Sequence, residues 1–124
     1  MSKKVNIIVT QPPYGKEDAY SAIPLAETQA AAGNQPSITF VSGGVHSVVK
    51  GQKTGYGDAA VWQKEVPSIE ASIVKAKEAV KFYALDADLK KRGVNDGEII
   101  EGISKVNLDD LTNRILDSDV TLVF

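Results

Sequence analysis

Val5-Asn6-Ile7-Ile8-Val9-Thr10, closed by Gln11-Pro12-Pro13-Tyr14-Gly15, is the stretch whose reading decides the fold. The first part is a β-branched run and the second a rigid turn, so residues 5–10 form a strand buried on both faces, of the kind that lies centrally in a sheet. From Lys16 to Ala32, Ala19, Ile23, Ala26 and Ala30 recur at helical spacing, and Gly33-Asn34 supplies the left-handed stop that helices favour. Pro24 forfeits one backbone hydrogen bond, and either kinks this helix or marks where its regular part begins. Ser37-Ile38-Thr39-Phe40-Val41 reads as the next strand. A strand-helix-strand order demands a right-handed crossover and a parallel pair.

Working outward, Ser42-Gly43-Gly44 lets the chain turn sharply or approach a ligand, and Val45 to Lys50 suits a short helix. Gly51 to Asp58 is a glycine-rich loop. Trp62, Val66, Ile69, Ile73, Ala76 and Val80 step by threes and fours, with Pro67 in a permitted first-turn position, which predicts an amphipathic helix over 66–79. Val80 to Leu85 is a strand. Asp86 to Gly93 is a short helix with acids first, cations last and glycine after it, and Asn95 to Gly102 a second helical turn. Asn107 and Asp110 resemble a capping box, and Leu108, Leu111 and Ile115 give the following helix a buried stripe. Residues 119–124 form a strand that packs Phe124 rather than leaving it trailing. The alternation predicts one domain over residues 1–124, an α/β fold: a three-layer α/β/α sandwich with a mostly parallel five-stranded sheet.

Composition narrows the chemistry. Of 124 residues, 43% are hydrophobic and 24% charged, the balance of a soluble globular domain. With no cysteine, disulfides, thiolate metal sites and thiol catalysis are all excluded. The net charge is -2 and there is no dense Lys/Arg block, which argues against direct nucleic-acid binding and against an anionic membrane surface. The apolar run after Met1-Ser2-Lys3-Lys4 is too short for an export signal, so the expected location is the cytoplasm.

Ligands of open parallel sheets bind beyond the carboxyl ends of the strands, where residues 11–16, 42–46 and 85–88 should converge. The amides of Tyr14, Gly15 and Lys16 could hold an anion at a helix start, or the segment could simply be a rigid turn. Gly43 and Gly44 stand where a ligand could approach the backbone. His46 is the single histidine, which removes any paired-histidine metal or catalytic site and leaves either a lone acid-base group or a plain polar residue. Asp86 and Asp88 serve as caps if the segment is helical, or could share a cation if it is extended. No spacing of a dedicated metal loop is present, and no cofactor is implied. Tyr56 and Trp62 suit a subunit contact, a lid, or a core aromatic on a surface loop. Lys90-Lys91-Arg92 suits a solvated helix end or a dock for an acidic partner.

Several segments together resemble the DsrE/DsrF-like family of sulfur-relay proteins. They are Pro12-Pro13-Tyr14-Gly15 with the helix through residues 19–26, Phe40-Val41-Ser42-Gly43-Gly44-Val45, Gly51-Gln52-Lys53, Leu85 to Val94 with its Leu89-Lys90-Lys91-Arg92-Gly93 ending, and the terminal strand over 120–124. The resemblance implies dimers, trimers or hexamers, including mixed assemblies with paralogous sulfur-relay subunits. It also implies that a cysteine at the position of Leu85 would accept sulfur as a persulfide. Leucine there has no thiolate, so the transfer step is lost. Gly43 departs from the acidic residue that many relatives carry. The resulting expectation is a non-catalytic partner or regulatory subunit of sulfur metabolism, with Tyr14, Gly44, His46, Leu85 and Asp88 lining one pocket near a subunit interface. The alternative is a small-molecule or anion binder, or an enzyme, using that carboxyl-edge pocket.

Overall fold

The computed structural model describes residues 2–14, 16–52 and 68–124. The elements run β1 (Lys4–Val9), α1 (Asp18–Ala31), β2 (Gln35–Phe40), a 3-10 segment (Ser42–Val48), α2 (Ile69–Ala76), β3 (Lys81–Leu85), α3 (Asp86–Lys91), a 3-10 turn (Asp96–Glu98), β4 (Ser104–Val106), α4 (Leu108–Asp117) and β5 (Val120–Val123). The strand order is β4-β3-β2-β1-β5. Every pair is parallel, with Ile7 opposite Ile38, Ile38 opposite Phe82, Tyr83 opposite Ser104, and Asn6 opposite Thr121. The sheet is thus wholly rather than mostly parallel, and β2, not the first strand, holds the middle.

This order sets the layers. Steps from β1 through β4 all move in one direction, so right-handed crossovers put α1, α2 and α3 on one face. The last connection returns across the sheet, which puts α4 on the other. Val5, Ile7, Val9, Ile38, Phe40, Phe82 and Ala84 face the first layer and form the core with Ala22, Ile23, Ile69, Ile73 and Leu89. Phe40 and Phe82 stack across β2 and β3 with ring centroids 6.3 Å apart, an arrangement that adds to their area burial.

Alternation turns Asn6, Ile8, Ser37, Thr39, Tyr83 and Leu85 toward α4. That layer is thin. Leu111 is buried there, but Leu108 and Ile115 are exposed, so the stripe read as buried is only partly so. A ten-residue helix is too short and narrow to cover a five-stranded sheet.

Local details follow the residue chemistry. Helix α1 begins at Asp18 and continues past Pro24, which lies exposed inside it. It ends in a Schellman motif: Gly33, at φ 89°, donates to Ala30 and Asn34 donates to Gln29. Asn107 and Asp110 form the reciprocal capping box of α4 at 2.9 and 3.2 Å. Phe124 is tied down, its carbonyl accepting from the Thr10 amide and its amide donating to Ile8, each at 2.8 Å.

Two sequence expectations are corrected, and the fifth strand of the sheet is located. Residues 95–102 are not one helical turn: only 96–98 is 3-10, while Ile99 and Ile100 are buried and Ile99 bridges Val49. The strand left unlocated is β4, three residues long. The helix expected over 66–79 is regular over Ile69–Ala76, and its first two expected residues lie outside the described ones. Tyr56 and Trp62 also lie outside them.

Candidate functional site

The carboxyl edge is built around a close backbone approach. Gly44 lies against the end of β1, where a Cβ would sit 2.1 Å from the Val9 carbonyl oxygen. Its amide instead lies within reach of two carbonyls, Val41 at 2.8 Å and Thr10 at 3.1 Å. Gly43 faces Pro12, whose Cδ would be 3.0 Å from an added Cβ. The two glycines therefore let the loop leaving β2 lie directly on the loop leaving β1.

Helix α3 fastens that loop from the other side. The Ser42 backbone is left-handed, φ 50°, and its amide donates to the Asp88 carboxylate at 2.7 Å. A non-glycine residue at positive φ stores strain, and a charge-assisted hydrogen bond offsets it. Asp86 turns elsewhere: it pairs with Lys90 at 2.9 Å and lines a separate cleft of about 420 Å³ with Asn107 and Leu108. The two aspartates diverge as a helical start dictates. Among the described residues there is no cluster of three His, Asp or Glu side chains able to hold a metal.

His46 is half-buried beside Tyr14, with ring centroids 6.5 Å apart. Burial holds its imidazole pKa below the ordinary value, and the Arg92 cation lowers it further. The lowered value favours the neutral ring, which has one nitrogen able to donate and one able to accept. Tyr14 and Lys16 are exposed, and Gly15 lies outside the described residues. The first turn of α1 opens with Glu17 and Asp18. Those carboxylates stand at the favourable end of the helix dipole.

Leu85 ends β3 and precedes α3, with 6% of its surface exposed. Alternation places it with Tyr83 on the α4 side, whereas the 3-10 segment carrying His46 sends Val45 and Val48 into the opposite core. Ser42 and Asp88 are hydrogen-bonded, Tyr14 and His46 adjoin one another, and Leu85 lies on the α4 side of the sheet.

Sequence reading placed Ser42 in a sharp turn and Arg92 at a helix end, but not the Ser42 contact with Asp88 or the effect of Arg92 on His46. It also passed over Arg114, whose guanidinium lies 3.7 Å above the Tyr83 ring and donates to Thr39 at 2.8 Å. The available signal was the polar alternation Asn6, Ser37, Thr39, Thr121 on strands whose core-facing residues are apolar.

An all-parallel sheet in the order β4-β3-β2-β1-β5, with Gly43 and Gly44 packed against the end of β1 at its carboxyl edge, defines an α/β protein. The chain belongs to the DsrE/DsrF-like family, whose model matches residues 3–124. It is 30% identical over 125 residues to an uncharacterised protein of Methanocaldococcus jannaschii, covering 98% of this chain and 99% of that one. It is 27% identical over 121 residues to an uncharacterised protein of Methanopyrus kandleri, covering 97% and 93%. In fold it is similar to the ychN protein from E. coli, at TM-score 0.78 and 23% identity over the whole of both chains. It is also similar to a protein of unknown function from Methanobacterium thermoautotrophicum, at TM-score 0.68 and 12% identity, covering 99% and 100%. No helix among the described residues is long and apolar enough to cross a membrane.

Proposed function

We propose that this chain is a non-catalytic DsrE/DsrF-like protein, a partner or regulatory subunit in cytoplasmic sulfur relay or sulfur metabolism. The supporting observation is Leu85. The position to which the family resemblance assigns a sulfur-accepting cysteine is filled by a buried leucine in a chain without cysteine, and a persulfide can form only on a thiolate. What the chain keeps is the scaffold and a surface able to hold other subunits, either copies of itself or cysteine-bearing paralogues. Affinity capture of the tagged chain from its host, read by mass spectrometry, is expected to return cysteine-bearing sulfur carriers. Recovery of none would overturn the reading.

A second reading has its own support in the Ser42–Asp88 clamp. Backbone strain held by a carboxylate beside a neutral half-buried histidine is an arrangement met at ligand sites. On this reading the carboxyl edge binds a small molecule. A melting-temperature rise with a small metabolite, lost in His46→Gln and accompanied by no captured protein, would favour it.

A further inference from the structure

We infer that the amino edge of the sheet, under α4, is a binding site for a small tetrahedral dianion of the phosphate or sulfate class. It lies at the opposite end of the strands from the loops discussed above and does not rest on the sulfur-relay reading. The parallel register assembles it: Lys4 stands opposite Gln35, and Ser37 opposite Lys81. By alternation these four, with Tyr83, all project to the α4 side. They line one cleft of about 400 Å³, which α4 closes with Arg114 and Asp117, a size that suits a small ligand.

Charge in this cleft is unbalanced. Asp117 is its sole carboxylate, and Lys4 already holds it at 2.6 Å. Lys81 and Arg114 make no ion pair among the described residues, so two positive charges face the same space uncompensated. A dianion matches that sum. Gln35, whose Nε2 donates one N–H to Ser2 at 2.9 Å, has a second N–H to add from a further direction, while the Ser37 hydroxyl donates to Asn6.

Arg114 is also held in place before any ligand arrives. Its plane rests on Tyr83 and one N–H is spent on Thr39, which leaves other N–H groups of the fork for an acceptor. Beneath it the sheet is polar where a helix-covered face is ordinarily apolar. Asn6 and Thr39 are fully buried, and Asn6 spans Thr121 and Ser37 at 3.4 and 3.5 Å. Such a layer adds little to packing, but it fixes the guanidinium, and a fixed group loses less entropy on binding.

The test is titration of the full chain with sodium phosphate and, separately, sodium sulfate, each against sodium chloride at matched ionic strength. Calorimetry and melting temperature are the readouts. A saturable response to both anions identifies the tetrahedral class, and a response to phosphate alone narrows it to phosphate. Lys81→Gln, at an exposed strand start, should weaken the affinity at least about tenfold while leaving the melting temperature in chloride unchanged. Arg114→Lys, which keeps the charge and loses the fork, should weaken it similarly. His46→Gln should leave it untouched. No response beyond chloride, an unchanged affinity in Lys81→Gln, or a loss of binding in His46→Gln would each overturn the site.

Discussion

Gly44 and His46 carry the sharpest residue-scale consequences at the carboxyl edge. Any Cβ at position 44 meets the Val9 carbonyl at 2.1 Å, and the obstacle is backbone, which cannot rotate away. Gly44→Ala is therefore expected to destabilise by about 1–3 kcal/mol, as overpacked sites do. Urea unfolding checks this; a midpoint equal to wild type would contradict it. For His46, burial and then Arg92 depress the folded pKa below the unfolded value. The unfolded chain thus binds the proton more readily, so the histidine's contribution is complete above the ordinary value near 6.5 and is lost as pH falls below it toward the depressed folded value. The imidazole carbon protons should titrate below that value by NMR, and Arg92→Gln should move the midpoint upward. Wild type should also lose more melting temperature between neutral and mildly acid pH than His46→Gln does.

Helix α4 shows which elements can be read from the chain and which cannot. Its start was legible because the capping box is local: Asn107 and Asp110 satisfy each other's amides whatever the rest of the fold does. Asn107→Ala should cost about 1 kcal/mol, measured as a lower urea midpoint at unchanged slope. What α4 covers was not legible, because the extent to which Leu108, Leu111 and Ile115 are buried depends on where the sheet lies beneath them. Strand β4 fails for a related reason: Ser104 and Lys105 are exposed, and three residues hold no period to detect. The longer strands and α1 carry hydrophobic patterns strong enough to identify them, and strand order followed only once β4 and β5 were set on opposite edges. At the candidate sites, Gly43 and Gly44 announce a close approach, since nothing else tolerates one. Asp88 against Ser42 and Arg114 against Tyr83 join residues far apart in sequence, and no local pattern encodes such pairs.

At the scale of the whole molecule, the described residues cover the α4 face thinly. Among them one short helix lies over it, β5 is an edge strand, and Leu116 and Val123 are 78% and 67% exposed, with Leu108 and Ile115 also open. An edge strand four residues long beside exposed aliphatic side chains is a surface that monomers ordinarily blunt with charge. The proposed subunit role gives it a use: a second copy or a paralogue seated on this side removes the aliphatic groups from water, and these form the apolar centre such contacts need. Light scattering of the purified chain is accordingly expected to give a multiple of 13.2 kDa. Leu116 and Val123 are the positions to alter, because their exposure leaves the core intact when they change. Leu116→Glu combined with Val123→Glu should reduce the assembly to monomer while the circular dichroism of the fold is retained, since two buried like charges oppose association. A wild-type monomer, or an oligomer indifferent to both substitutions, would move the contact away from α4 and β5.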